Sequence, residues 1–148
     1  VDAMLGAFAE KVGSGPMSVY RAAIDRTFDA DHVEDILAAL DREAISGGTE
    51  AGWAGATAAT IRGKSPVSLK IALAQMRGGR QWSFTDCMKT EFRIVSRIIY
   101  REDFYEGVRA VIIDKDNAPR WNPSRLGQVL QSDIDAYFAP LETELDLP

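Results

Sequence analysis

Apolar residues recur along almost the whole chain at the three- and four-residue spacing that places them on one face of an α-helix. Leu5, Phe8 and Val12 begin this pattern, and glycine or proline interrupts it at intervals. We find no segment with the regular alternation of a β-strand. Since the hydrophobic period largely decides the fold class, the sequence predicts an all-α protein.

Pairs of residues typical of helix termini predict where several of these helices begin. A polar capping side chain accepts hydrogen bonds from free backbone N–H groups, and an acid three residues later or a proline in the first turn completes the signal. The predicted starts are Asp31 with Glu34, Ser65 with Pro66, Ser83 with Asp86, Asp103 with Glu106, Asn122 with Pro123, and Ser132 alone.

Two predicted helices carry more apolar residues than one core-facing stripe requires. The helix after Ser65 has two stripes, one of Leu69, Ala72, Leu73 and Met76, the other of Val67, Ile71 and Ala74. The longest helix, after Ser83, has a stripe of Phe84, Met88, Phe92, Val95 and Ile99. We expect the first helix to be buried on two sides. Upstream, Gly52 and Gly55 in an alanine-rich helix favour close approach to a neighbouring element.

The stretch from 102 to 121, EDFYEGVRAVIIDKDNAPRW, is ambiguous because a short apolar run fits a buried strand or a helix. The spacing of Phe104, Val108, Val111 and Ile112 favours a helix that ends at DKDNAP. Gly107 within this helix indicates that another backbone or a ligand passes close to it.

Composition and charge exclude several classes of function. The formal net charge of −5 argues against a nucleic-acid partner. The single cysteine, Cys87, cannot form an internal disulfide, so we expect a reducing compartment. We find neither a signal peptide nor an apolar run of about 18 residues, and we expect no membrane association. The chain begins with valine, so we expect a processed product or a fragment.

Few residues have the pattern of a reaction centre. The sole histidine, His32, lies beside a predicted helix cap, and a surface position is its expected role. Cys87 lies on an apolar helix face and fits a small buried hydrophobe better than a nucleophile. The sequence contains no recognisable metal-ligand spacing and no phosphate-binding glycine loop. The clustered acids Glu102, Asp103, Glu106, Asp114 and Asp116 are expected to serve helix starts and a turn.

The segments SPVSLKIALAQM, EFRIVSRI and DFYEGVRAVIIDKDNAPRWNP together resemble the C-terminal region of 3-hydroxyisobutyryl-CoA hydrolases of the crotonase (enoyl-CoA hydratase/isomerase) superfamily. Upstream, FDADHVEDILAAL is similar to the linker helix of these enzymes. The resemblance implies one helical C-terminal domain made of a helical linker region at 1–63, crotonase-like C-terminal helices at 64–123, and tail helices at 124–148.

The same resemblance implies what this chain lacks. The family's oxyanion hole and catalytic acids lie in an N-terminal ββα spiral core, and no segment here resembles it. We therefore expect a lid and assembly region of a CoA-thioester hydrolase that acts on 3-hydroxyisobutyryl-CoA in valine catabolism, inactive alone, with its catalytic residues upstream of Val1. The implied substrate is an acyl-CoA bound through that core, with no further cofactor. We expect a homo-oligomer in the cytoplasm, or in the mitochondrial matrix of a eukaryote.

Basic residues are the candidate contacts to CoA, whose phosphates suit arginine and lysine. Because the family's C-terminal helices close over CoA, the resemblance implies Arg109 and Lys115 as candidate phosphate contacts. Trp121 fits a hydrophobic plug better than a stacking platform. The longest helix carries a separate stripe of basic residues: Lys89, Arg93, Arg97 and Arg101. These residues are expected either to be solvated and partly paired with Glu91 and Glu102, or to contact the missing core or CoA.

Two alternatives stay open. The chain could belong to an enoyl-CoA hydratase or isomerase of the same superfamily. It could also be a stand-alone helical interaction module, for which the lack of a catalytic inventory is the argument. A fragment should expose apolar surface and self-associate, whereas a stand-alone module should be a clean monomer.

Overall fold

The computed structural model describes residues 13–147, and every regular element in this range is helical. The predicted helix at Leu5–Val12 lies outside the described residues. Seven α-helices follow in chain order: α1 Arg21–Thr27, α2 Val33–Ile45, α3 Ala51–Arg62, α4 Pro66–Gly79, α5 Phe84–Ile98, α6 Glu102–Val108 and α7 Gln131–Phe138. A 3-10 turn, Pro16–Tyr20, precedes α1, a π-helical turn, Arg109–Ile113, continues α6, and a 3-10 turn, Leu126–Gln128, precedes α7. The all-α prediction is confirmed.

Two of the predicted caps form as the sequence indicates. Ser65 accepts a hydrogen bond from the Ser68 N–H at 3.2 Å, and Pro66 takes the first position of α4. Ser83 and Asp86 form a reciprocal capping box at the start of α5, with bonds of 3.1 and 3.3 Å. Both caps satisfy N–H groups that have no partner inside the helix.

The cap predicted at Asp31 is wrong by one residue. Helix α2 begins at Val33, and its N-cap His32 makes no capping hydrogen bond through its side chain. The reason is tertiary: Arg77 of α4 donates to the carbonyls of Phe28 and Ala30 at 2.8 and 2.6 Å and fixes the preceding loop. Asp31 instead lies 3.8 Å from the Arg77 guanidinium.

The first core lies between α2 and α3. Leu40 and Ala54 are fully buried there, and Ala58 packs beside them. Small residues on α3 let the two helices approach closely, because a Cβ on Gly55 would lie 3.7 Å from the Ala44 methyl group. The predicted close approach is therefore found at Gly55, whereas the space around Gly52 is open.

The second core joins α4, α5 and α7. Ile71, Ile94, Ile134 and Tyr137 are buried in it. Helix α4 takes part in both cores: it packs residues of its first predicted stripe, Leu69 and Leu73, against the first core and those of its second stripe, Val67, Ile71 and Ala74, against the second. Two-sided burial of α4 is confirmed, although Ala72 and Met76 at the margin of the first stripe stay exposed.

Helix α5 turns four of the five residues of its predicted apolar stripe away from the second core, and the fifth, Phe92, is half-buried. Its buried residues are Thr90 and Ile94, on the opposite side. Along the stripe Phe84 is 78% exposed, Val95 49%, and Met88 and Ile99 36% each. We call these four residues the open face of α5. None of the other described elements covers it, although its helical period is that of a buried surface.

The ambiguous stretch forms a helix, as predicted, with three differences. Helix α6 begins at Glu102 after the N-cap Arg101, so Asp103 lies inside the first turn instead of capping it. The last turn widens to a π-helix in which Val111, Ile112 and Ile113 are all exposed. The helix predicted from Asn122 is absent from the described structure, and a cis Asn122–Pro123 bond and the short 3-10 turn take its place.

Hydrogen bonds of Asn122 account for the missing helix. The Asn122 N–H donates to Asp103 at 2.8 Å, and the Asn122 amide donates to Glu102 at 3.1 Å. Asn122 therefore serves a tertiary contact and does not cap a helix.

Helix α7 is found where the tail helix was predicted, but its N-cap is Leu130, without a side-chain bond, and Ser132 lies inside it. No described helix has the length and apolar character needed to cross a bilayer.

Gly78→Ala is expected to destabilise the protein, and Gly79→Ala is its matched control. A Cβ at Gly78 would overlap the Trp82 indole, which packs against Phe138, whereas nothing lies within 4 Å of a Cβ at Gly79. We expect a loss of about 1–3 kcal/mol for the first change, and a gain of at most about 1 kcal/mol for the second. Urea unfolding followed by circular dichroism measures both, and equal stabilities would contradict the packing described.

Candidate functional site

A cleft of about 820 Å³ lies between the start of α4, helix α6 and the segment 121–123. Its wall is mostly apolar, with a few charged groups at its edge. The lining residues are Lys64, Ser65, Val67, Ser68, Ile98, Tyr100, Arg101, Glu102, Asp103, Phe104, Gly107, Val108, Val111, Ile112, Trp121, Asn122, Pro123, Asp133 and Tyr137.

Asp103 holds one side of this cleft together. Its carboxylate accepts a hydrogen bond from the buried Ser65 hydroxyl at 2.5 Å and another from the Asn122 N–H at 2.8 Å. The first bond joins α6 to the start of α4, and the second joins α6 to the segment before α7. Both oxygens of the carboxylate are thus engaged in holding the fold, in agreement with the structural role expected of this acid.

Trp121 closes the end of the cleft beside Gly107. Its indole N–H donates to the Gly63 carbonyl at 3.0 Å, and a Cβ on Gly107 would lie 3.5 Å from the ring. The close approach predicted at Gly107 is therefore an approach of the tryptophan. This arrangement supports the plugging role over a free stacking platform, because the half-buried ring already has apolar and polar partners.

The predicted site residue Arg109 lies where the π-helical turn begins, surrounded by carboxylates. It donates to Glu106 through Nε at 2.9 Å and Nη2 at 2.8 Å, and through Nη1 to Asp114 and Asp116 at 2.7 Å each. A bond from Nη2 to the Ala118 carbonyl at 3.2 Å completes the set. Hydrogen bonds to the three acids, Glu106 first, raise the pKa of Arg109 above its already high value.

Glu106 is the acid most affected by this cluster. The side-chain hydrogen bonds from Arg109, followed by the N–H of Arg120 at 2.7 Å, lower the pKa of Glu106 from 4.5 to about 2. Glu106 therefore stays ionised in the folded protein well below the pH at which an ordinary glutamate becomes protonated. Its carboxylate ties α6 to the loop that follows the π-helical turn.

The second predicted site residue, Lys115, lies exposed in that loop, which we define as 114–120 and call the acidic loop. Lys115 has φ 56° and Asn117 has φ 52°, both in the left-handed region that most residues avoid. The Asn117 N–H donates to the Ala110 carbonyl at 3.0 Å, and the Ala118 N–H donates to Asp116 at 2.9 Å. The structure thus brings Arg109 and Lys115 into one local unit, while their contact with CoA stays a prediction.

The basic stripe of α5 has partners other than those predicted. Arg93 pairs with Glu144 at 2.9 Å, and Arg97 donates to the carbonyls of Tyr137 and Pro140 at 3.2 Å. Arg101 lies 5.8 Å from the centre of the Tyr137 ring. These bonds fasten the end of α7, whose last carbonyls have no partner within the helix. The predicted pairing with Glu91 and Glu102 is wrong, and Glu91 accepts from Gln75 instead.

The remaining candidates do not assemble into a reaction centre. His32 is exposed at the N-terminus of α2, and Cys87 is a half-buried free thiol on α5. Within residues 13–147 no group of three or more histidines, cysteines or acids is arranged to hold a metal ion. The described residues therefore offer an open cleft and the exposed Lys115 of the acidic loop, without a nucleophile presented to a base.

Sequence reasoning missed three residues that build this site. The roles of Ser65, Asp103 and Asn122 as one tertiary junction could not be read from spacing, since 38 residues separate the first two. A signal did exist for Arg109, because five acids within eight residues of one arginine favour ion pairing.

The described residues form an all-α region with an open cleft and an uncovered apolar face. The enoyl-CoA hydratase/isomerase family matches residues 1–138, and the chain belongs to this family. The resemblance read from the sequence is confirmed, and the chain corresponds to the C-terminal region of crotonase-type proteins.

Three proteins illustrate what this chain is similar to. 3-Hydroxyisobutyryl-CoA hydrolase 1 of Arabidopsis thaliana is 38% identical and is matched over 97% of this chain and 39% of its own length. The small ribosomal subunit protein mS47 of the same plant is 40% identical over 84% of this chain and 32% of its own. A carnitinyl-CoA dehydratase from Mycobacterium thermoresistibile superimposes with a TM-score of 0.82 and 34% identity, over 99% of this chain and 40% of that one. The chain thus spans about two fifths of these proteins or less.

Glu106→Gln is expected to reduce the loss of stability in acid. The pKa of Glu106 is lower in the folded protein, so its stabilising contribution is complete above about pH 4.5 and is lost as the pH falls towards about 2. The unfolding midpoint in urea, measured between pH 5 and pH 2, should therefore fall less steeply for the variant. Glu142→Gln, at an exposed site, is the control, and equal slopes for all three proteins would argue against the Glu106 cluster.

Proposed function

We propose that the polypeptide containing this chain hydrolyses the thioester of 3-hydroxyisobutyryl-CoA to the free acid and CoA, in valine catabolism. The 38% identity with an Arabidopsis 3-hydroxyisobutyryl-CoA hydrolase over 97% of the chain supports this substrate. The match extends through the EDFYEGVRAVIIDKDNAPRW stretch, which on the sequence alone favours the hydrolase branch.

In this proposal the chain acts as a lid and assembly region. The reaction centre lies in the part of the full-length polypeptide that corresponds to the region of the relatives not covered by this chain. The open face of α5 is the observation that carries this role. Four large apolar side chains, Phe84, Met88, Val95 and Ile99, form one stripe exposed to solvent in the described structure. Burying such a stripe stabilises by about 25 cal/mol per Å², so a surface of this kind favours a partner. The 148-residue chain alone is then inactive.

The acidic loop serves the phosphate end of CoA in the same proposal. Lys115 is exposed at its tip, and Arg109 anchors it. The thioester itself is the substrate, and no further cofactor is needed for hydrolysis. The proposal also includes the division of the chain into three regions, with boundaries at 63/64 and 123/124. It includes a homo-oligomeric assembly and a location in the cytoplasm or the mitochondrial matrix.

A dehydratase or hydratase is the second candidate, because the superimposed crystal structure is named a carnitinyl-CoA dehydratase. A non-enzymatic role in assembly is the third, favoured by the 40% identity with a protein named as a ribosomal subunit. The net charge of −5 makes direct contact of this region with RNA unfavourable, so such a role would rest on protein contacts.

Free thiol release separates these candidates. The full-length polypeptide should release CoA from 3-hydroxyisobutyryl-CoA, and the isolated chain should release none, because the proposal places the reaction centre outside it. Hydration of a 2-enoyl-CoA without thiol release would replace the hydrolase with the hydratase. A folded full-length protein inactive on both substrates would favour the assembly role.

The isolated chain should self-associate through the open face of α5. Val95→Glu places a charge in the middle of this face and should shift the chain towards monomer in sedimentation velocity, with less binding of an apolar dye. Ala38→Glu, at an exposed site on α2, is the matched control and should change neither. A clean monomer for the unaltered chain would count against the lid role.

A further inference from the structure

The guanidinium of Arg109 has no hydrogen available for a phosphate. An arginine carries five N–H donors, and Arg109 directs all five to acceptors in the folded chain. Two go to Glu106, one each to Asp114 and Asp116, and one to the Ala118 carbonyl. Any phosphate bound by Arg109 would have to replace one of these bonds.

The charges around Arg109 also disfavour an anion. Three carboxylates surround this one guanidinium, so the cluster is negative in sum. A phosphate placed against it would meet Glu106, Asp114 and Asp116 at close range, and like charges repel. The predicted contact of Arg109 with CoA is thus opposed by its own neighbours.

The same bonds determine the conformation of the acidic loop. Asp114 and Asp116 flank Lys115, and both accept from Arg109 Nη1 at 2.7 Å. Holding residues 114 and 116 on one nitrogen forces the residue between them outward, which agrees with the left-handed φ of 56° and the exposure of Lys115. A left-handed backbone at a lysine persists only where the surroundings fix it.

We infer that Arg109 is a positioning residue, whose three bonds to Asp114, Asp116 and the Ala118 carbonyl hold the acidic loop so that Lys115 presents its ammonium to the phosphates of CoA. This inference rests on the proposed function and gives the two predicted residues different roles, phosphate contact for Lys115 and loop positioning for Arg109. Lys115 binds as a mobile point charge, whereas the planar fork of Arg109 is used entirely within the fold.

A double-mutant cycle in the full-length enzyme tests the inference. Lys115→Gln should raise KM for the CoA thioester about tenfold, the effect of losing one charge-assisted hydrogen bond. Arg109→Gln should raise it similarly, and the double variant should be no worse than either single one, because both changes remove the same contact. KM for the matching pantetheine thioester, which lacks the nucleotide phosphates, should stay constant in all three. Arg42→Gln, an exposed charge removal on α2, is the control.

Two backbone amides report on the loop independently of turnover. The N–H groups of Asn117 and Ala118 are bonded to the Ala110 carbonyl and to Asp116, so both should exchange hydrogen faster in Arg109→Gln. Lys115→Gly removes the ammonium, suits the left-handed backbone, and should raise KM without faster exchange. Should Arg109→Gln fail to fold, Arg109→Lys keeps the charge, lacks the fork, and has the same expected results.

The unfavourable results are distinct from one another. If the KM of the double variant rises about a hundredfold, the two single effects multiply. Arg109 would then contact phosphate itself, which would overturn the inference. Unchanged exchange of the two amides in Arg109→Gln would overturn it too. An unchanged KM in Lys115→Gln would overturn the inference together with the phosphate contact. Failure of the hydrolase proposal is recognised separately, by the lack of thiol release from the unaltered enzyme.

Discussion

The burial of α4 on two opposite sides is the constraint on which the rest of the structure depends. One side of α4 packs against the core of α2 and α3, and the other against α5 and α7. At its two ends the helix also carries the polar junctions: Ser65 binds Asp103 at the start, and Arg77 binds the loop before α2 near the end. A helix with solvent on one side could not join these units, so the two stripes in its sequence determine the architecture.

Features governed by local chemistry could be predicted from the sequence. The caps at Ser65 and Ser83 and the helical state of residues 102–113 follow from interactions within a few residues, and the structure shows them. Predictions failed where a distant partner competes for the same group. Asn122 has the sequence of a helix cap, but the carboxylates of Glu102 and Asp103 take its N–H groups. Asp31 loses its cap position because Arg77, 46 residues later, fixes the preceding loop.

The candidate site shows the same limit. The resemblance to the family and the positive charge of Arg109 and Lys115 make them candidates, while their environments depend on a turn that neither of these indicates. Positive φ values at Lys115 and Asn117 accompany the pairing of Asp114 and Asp116 with one guanidinium. On α5 the arginine stripe was visible in the sequence, but its acceptors are carbonyls at the end of α7, which no sequence pattern marks. Positive charge identifies the basic residues that could bind phosphate. Backbone geometry shows which of them, like Arg109, are engaged within the fold and which, like Lys115, are exposed.

The π-helical turn after α6 has a consequence for the shape of whatever covers it. In an α-helix three successive residues point in directions about 100° apart, so a flat neighbour meets only one of them. Here Val111, Ile112 and Ile113 are all more than half exposed. A partner that shields all three from water therefore has to contact more than one side of this turn.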